Sequence, residues 1–281
     1  MDSRPHAVGL REREELGPVG SRRRGGRAQP DHAGQAPGGC SGGDLRRGRQ
    51  LFAATLGATG GRQPDFVGVA FHGMATSHID ALCHVFVDGR MYNGFDGAEV
   101  RSTGARRNSI LGASDGIVSR GVLLDVPRSL GVDSLDKGHV IRLAELEACE
   151  AVQGVTVSAG DILLVATGRD ARRAAEGPWN PFTGLPRLHP ECIPWLHDRD
   201  IAVLGADGVN DPMPGLGIEG WFMPVHQCAL AGMGVHLLDN LRLDRLAAAC
   251  SANERWTFQF TVAPLHVEGG TGSPANPIAV L

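Results

Sequence analysis

Residues 72–84 place three histidines and one aspartate within a stretch that otherwise reads as protein core. Charged groups are kept in a core when they have a partner or a function. Imidazole and carboxylate are also the usual ligands of Zn²⁺ and similar divalent metals. Side chains alternate along an extended segment, so His78 and Asp80, two residues apart, lie on one face. The segment therefore predicts a metal site built on a strand.

His84 follows Asp80 by four residues. If the chain forms a helical turn after Asp80, His84 lies about one turn further on, above the site, and can stay there without binding the metal. The alternative interpretation is a chance cluster of buried histidines that hydrogen bonds satisfy. That explanation is adequate for one histidine and weaker for a His-x-Asp-x-x-x-His pattern in an apolar run.

The composition is that of a soluble globular protein, with 281 residues, 42% hydrophobic and 21% charged. A net charge of −4 and an isoelectric point near 6.2 give no reason to expect nucleic acid or an anionic membrane as a partner. No apolar run is long enough to span a membrane, and the chain start has no signal-peptide pattern, so we expect a cytoplasmic protein. The six cysteines include no Cys-x-x-Cys pair, which favours reduced thiols over a disulfide framework or a zinc ribbon.

Residues 1–62 differ from the rest of the chain. They are rich in Arg, Gly and Pro, and Phe52 is their only aromatic residue. Such a composition buries too little apolar surface to offset chain entropy, so it predicts a low-complexity segment that is disordered or an aberrant start of the gene product. Residues 63–281 are predicted to form one domain.

This second part has the pattern of an α/β protein. Short apolar runs predict buried strands, and runs with helical spacing alternate with them. The strands are predicted at 66–71, 121–126, 201–207 and 255–262, with a turn and a strand over 160–168 and a strand or its exit at 235–241. The helices are predicted at 141–150, 189–197 and 226–232. Asp207 ends one of these strands, where it either serves a functional site or caps the following turn.

The run Thr76-Ser77-His78-Ile79-Asp80-Ala81-Leu82-Cys83-His84 resembles the signature His-x-Gly-Thr-His-x-Asp-x-x-x-His. This signature belongs to the cyclase/kynurenine formamidase-like metal-dependent hydrolases. His78, Asp80 and His84 match its second histidine, its aspartate and its last histidine. Its first histidine falls on Met74, whereas this chain has His72 two residues earlier. Either the loop is rerouted so that His72 becomes a ligand, or one ligand is missing.

The resemblance covers residues 65–281 and implies a swivelling β/β/α-type single domain with a central mixed sheet, assembled as a homodimer or a larger homo-oligomer. It also implies a divalent cation, Zn²⁺ or Mn²⁺. The positions of the family's distant histidine and acidic residue are His226 and Asp239, which join His72, His78 and Asp80 as predicted ligands. Asp239 stands where glutamate is usual, and its shorter side chain favours one metal over two.

The implied activity is hydrolysis of an amide or cyclic amide of a small molecule, as in arylformamidases and isatin hydrolases. Metal-bound water is the expected nucleophile and His84 the acid/base. A catalytically impaired, metal-binding relative is the alternative. The sequence has no Gly-x-Ser-x-Gly motif, which argues against a serine nucleophile. On a strand, Cys83 should point away from His84, which argues against a cysteine nucleophile activated by that histidine.

Overall fold

The computed structural model describes residues 67–213 and 215–281. The prediction for residues 1–62 lies outside these described residues. The described residues form a mixed α/β unit around an eight-stranded sheet, which confirms the predicted fold class.

The strands of the described residues are, in chain order, β1 (His78–Asp80), β2 (Val100–Arg101), β3 (Gly104–Ala105), β4 (Ile117–Asp125), β5 (Val140–Ile141), β6 (Ile162–Ala166), β7 (Arg187–Leu188), β8 (Val203–Ala206), β9 (His236–Asp239), β10 (Thr257–Val262), β11 (Gly272–Pro274) and β12 (Ile278–Val280). The large sheet has the order β11-β1-β9-β8-β6-β4-β10-β12. Its four central strands β9, β8, β6 and β4 are parallel, and the outer strands pair antiparallel. Two further pairs, β2–β3 and β5–β7, lie outside it.

The α-helices are α1 (Val126–Ser129), α2 (Leu143–Gln153), α3 (Arg169–Glu176), α4 (Ile193–Asp198), α5 (Pro224–His226) and α6 (Asp244–Ala252). Short 3₁₀ helices lie at Tyr92–Gly94, Gly97–Glu99, Ile110–Ala113, Pro181–Thr183 and Pro190–Cys192. A π-helix, Gln227–Met233, continues α5. A helix was predicted here, but not its wider π-helical winding, which frequently occurs at functional sites.

Both faces of the large sheet are buried along its central strands β6 and β8. Along β6, Leu163 and Val165 belong to a hydrophobic cluster with residues of α2 and α4, whereas Ile162 and Leu164 belong to a second cluster with Phe258 of β10. A strand covered on both faces needs apolar residues at every position. This explains why the central strands read as continuous apolar runs and were predicted correctly.

The strand predicted at 66–71 is wrong over its described residues, 67–71, which form no regular element. The alternation of Val67 and Val69 suits a strand, but both side chains are exposed. A strand also needs a partner for its backbone. The neighbouring strand β1 already pairs with β9 on one side and β11 on the other.

The register of β1 on β9 determines where the predicted ligands lie. His78 is directly opposite Asp239, and Asp80 is opposite Leu237. Directly opposite residues of an antiparallel pair project to the same face, as do residues two apart along one strand. His78, Asp80, Asp239 and Leu237 therefore share a face, and Leu237 packs there in the cluster that contains Val225 of α5.

Candidate metal centre

Asp80 lies at the centre of the site and is fully buried. Its Oδ1 is 3.6 Å from His78 Nε2, and its Oδ2 is 3.4 Å from His226 Nε2. The same Nε2 atom of His226 is 3.3 Å from Asp239 Oδ2. The structure thus brings together these four predicted ligands, although they are spread over more than 160 residues of the chain.

His72 also reaches the site. Its Nδ1 lies 3.0 Å from Asp80 Oδ1, and its Nε2 is 3.1 Å from the Thr271 hydroxyl oxygen. Its ring stacks on that of His84, with centroids 3.9 Å apart and planes 4° from parallel. The chain between His72 and His78 therefore turns back, as the rerouted-loop alternative requires.

His84 follows the end of β1, in a turn that its backbone N–H closes by donating to Ala81 O over 2.9 Å. Its Nε2 lies 4.0 Å from Asp80 Oδ1. This is the expected position over the site. Cys83 is buried instead, and burial raises the pKa of its thiol to about 11, so it is a packing residue.

Hydrogen bonds orient two of the imidazoles. His78 Nδ1 is 2.8 Å from Thr76 O, and His226 Nδ1 is 2.6 Å from Asp211 Oδ2. A ring nitrogen that donates to an oxygen leaves the other nitrogen to bind a metal, and such partners are a regular feature of metal sites. Both Nε2 atoms consequently face Asp80.

Several residues that hydrogen-bond to the predicted ligands were not identified from the sequence. Asp211 also accepts the backbone N–H groups of Val225 and His226, and the Asn210 side chain donates to Asp239 Oδ1 over 2.6 Å. His236 Nδ1 is 2.7 Å from Asp80 O. Asn210 and Asp211 follow the buried strand β8, where open α/β sheets place functional groups, and that signal could have found them.

The donors fit a divalent cation. Within the described part of the chain, neither carboxylate oxygen of Asp80 has a hydrogen-bond partner, and neither does His72 Nδ1. A buried carboxylate in this state requires a compensating charge. The gaps of 3.3–3.6 Å around His226 and His78 are also close to the spacing, about 3.3 Å, between the ligands of a tetrahedral zinc ion.

Two overlapping groups of possible ligands share Asp80. One consists of His78, Asp80 and Asp239, all buried, and the other of His72, Asp80 and His84. His226 adjoins the first group. The second group includes His84, so the geometry alone also allows His84 to be a ligand.

The charges of the site act on its titratable groups. Burial by itself raises the pKa of Asp80, but the imidazoles of His226 and His72 outweigh burial and hold this pKa well below its usual range. Burial lowers the pKa of His226, but the carboxylates of Asp239, Asp211 and Asp80 outweigh it and raise this pKa well above its usual value. Without a metal ion these carboxylates thus favour a proton on His226, which the ion would have to displace.

Access to the site is one-sided. The side chains of His72 and His84 are 27% and 28% exposed, whereas those of His78, Asp80, His226 and Asp239 are at most 3% exposed. A small molecule from solvent would meet the stacked His72 and His84 rings first.

The sequence profile of the cyclase family, described as "Putative cyclase", matches residues 46–210. The chain belongs to the cyclase family. A crystal structure described as a novel cyclase is 29% identical, with a TM-score of 0.70 over 80% of this chain and 74% of that chain. A search of curated proteins gave no match.

Two isatin hydrolase structures share the fold of this cyclase-family protein. One, bound to the product analogue thioisatinate, is 21% identical, with a TM-score of 0.56 over 78% of this chain and 76% of its own. The other, isatin hydrolase A from Ralstonia solanacearum, is 20% identical, with a TM-score of 0.56 over 83% of this chain and 82% of its own.

None of the described helices is long and apolar enough to cross a membrane.

Proposed function

We propose that this cyclase-family protein is a metal-dependent hydrolase of a linear or cyclic amide, with arylformamidase-like or isatin-hydrolase-like chemistry and Zn²⁺ or Mn²⁺ as its cation. The observation that carries the proposal is the fully buried carboxylate of Asp80, which faces three histidine nitrogens within 3.6 Å and lacks a hydrogen bond among the described residues. Such a group is built to bind a cation.

His78, Asp80, His226 and Asp239 would hold the ion, with His72 as a further ligand on the exposed side. A divalent cation bound there would polarise a carbonyl group and lower the pKa of a water molecule. Asp211 and Asn210 would keep His226 and Asp239 in place through their hydrogen bonds.

His84 would move the proton. Burial lowers the pKa of His84 to about 4, against the opposing effect of Asp80, so the ring is neutral near pH 7. A neutral imidazole can accept a proton from water at Nε2 and return it to the nitrogen that leaves the amide. The side chain of His84 is 28% exposed, so a substrate from solvent could reach it next to the ligands.

Metal analysis combined with hydrolysis assays tests the proposal. The full chain would be stripped with a chelator, reloaded with Zn²⁺ or Mn²⁺, and offered N-formyl aromatic amines and isatin. We expect about one or two ions per chain and a product that has gained one water by mass. A protein that binds the ion but leaves the whole panel intact would instead be a catalytically impaired relative. One that binds no ion at micromolar concentrations would overturn the assignment of the site.

A further inference from the structure

The loop of residues 73–77, between His72 and His78, is held by side chains over residues 73–76, and at Ser77 by the backbone N–H of Ala275, just after β11, which donates to Ser77 O over 3.0 Å. Asn240 Nδ2 donates to Gly73 O over 2.6 Å and to Thr76 O over 3.4 Å. Arg169 Nη2 donates to Met74 O over 2.5 Å. Three carbonyl groups of this short loop are thus bound by only two residues from distant parts of the chain.

Arg169 is itself firmly anchored. Its Nη1 donates to Asn240 Oδ1 over 2.6 Å and to the backbone oxygen of Asp207 over 3.2 Å. The Asp207 carboxylate accepts the backbone N–H of Arg169 and caps the start of α3. The capping role considered for Asp207 was that of the turn after β8, whereas its carboxylate accepts from Thr167 and Arg169, at the start of α3. The guanidinium therefore joins the loop to the carboxyl ends of β8 and β9.

Asn240 directly follows Asp239 and has a φ of 55°, in the left-handed region that asparagine tolerates better than most residues. This sharp turn ends β9. Ser77 binds to the same residue, donating from its hydroxyl to Asn240 O over 2.6 Å. Asn240, which follows the predicted ligand Asp239, therefore holds the loop between two other predicted ligands, His72 and His78.

We infer that Arg169 and Asn240 are positioning residues that hold the loop of residues 73–77 turned, so that His72 and His78 face Asp80 together. Fully extended, six residues would separate the two imidazoles by about 20 Å. Here their ring centroids are 5.3 Å apart. Holding this turn in advance removes an ordering cost that metal binding would otherwise bear. The inference rests on the proposed function in that the ligand is a divalent cation.

Variants of the two residues separate positioning from a general loss of structure. Asn240→Asp keeps the acceptor for Arg169 and the tolerance for the left-handed backbone, but it loses both bonds to the loop. Arg169→Gln removes the bond to Met74 O. We expect Co²⁺ and Zn²⁺ to bind about 10–100-fold more weakly to each variant of the full chain, as for other residues that orient ligands. Arg169→Lys should recover part of the affinity, because an ammonium keeps the charge and its N–H donors but lacks the planar fork whose two nitrogens reach Asn240 Oδ1 and Met74 O separately.

Arg172→Gln is the matched control, because Arg172 lies on the same helix and bonds to Leu135 O, Asp136 and Glu176 instead of the loop. Its metal affinity should equal that of the wild type. If Asn240→Asp and Arg169→Gln fold and also bind Co²⁺ like the wild type, the inference is wrong. If one variant fails to fold, the other decides the question, because each breaks a different bond to the loop.

A second measurement needs no metal and distinguishes failure of the inference from failure of the proposed function. In the chelator-treated protein labelled with ¹⁵N-histidine, the imidazole resonances of His72 and His78 should change in both variants. Those of His226 should not, because Asp211 holds that ring. Unchanged His72 and His78 resonances would overturn the inference. Changed resonances in a protein that never binds a cation would support the positioning role and overturn only the proposed function.

Discussion

Asp80 and His84 occupy different positions in the site, because Asp80 is fully buried at its centre and His84 is partly exposed at its edge. We expect His78→Ala and Asp80→Ala to lose most bound metal, since each removes a donor that faces the centre. His84→Ala should keep the metal but lose turnover by about 10²–10⁴-fold, as for a general acid/base. Metal content and hydrolysis rate, measured on the same preparations, check both. Metal loss from His84→Ala would make His84 a ligand.

The raised pKa of His226 predicts how metal binding depends on pH. A proton on His226 Nε2 competes with the ion for the same lone pair, and the carboxylates that raise the pKa favour that proton. The proton must leave when the ion binds, so affinity should increase from pH 6 to pH 8, by about tenfold per pH unit for each proton released. Titration of the metal-free protein in weakly buffered solution should show the proton release. A pH-independent affinity would contradict a protonated His226.

At the scale of the elements, strand β11 makes room for His72. A Cβ atom added at Gly272 would lie 2.7 Å from His72 Cε1 and 2.6 Å from Ile79 O. Real side chains do not approach so closely, so Gly272→Ala should displace both the His72 ring and β1, which carries His78 and Asp80, and weaken metal binding at least as much as His72→Ala. Gly112→Ala is the control, because nothing lies within 4 Å of its added methyl group. If Gly272→Ala and His72→Ala both bind metal like the wild type, His72 is no ligand.

The elements also show how far the sequence can predict the structure. The spacing of His78 and Asp80 was sufficient to put them on one face, because alternation is a local property of a strand. The opposition of His78 and Asp239 depends on the register of β1 against β9, which pairs residues 161 positions apart, and only the family resemblance pointed to Asp239. Arg169 carries no local signal, because its role comes from carbonyl groups of a distant loop.

At the scale of the whole molecule, the composition of residues 1–62 predicts that they add little to the stability of the rest. Two truncations would test this. Removing residues 1–45 stops where the family match begins, and removing residues 1–61 stops at the predicted domain boundary. Each melting temperature should stay within about 4 °C of the wild type, the shift expected for roughly 1 kcal/mol. A fall of more than about 10 °C would show that the removed residues pack on the domain.

Leu237 and Asp239 share one face of β9, so the hydrophobic cluster that contains Leu237 lies next to the predicted ligands. An ion that binds only the folded chain stabilises it, by about 2.7 kcal/mol at a hundredfold excess over the dissociation constant. In a domain of this size that corresponds to roughly 5–10 °C in melting temperature. Thermal unfolding with and without a chelator would therefore show whether the folded chain binds an ion, before any substrate is known.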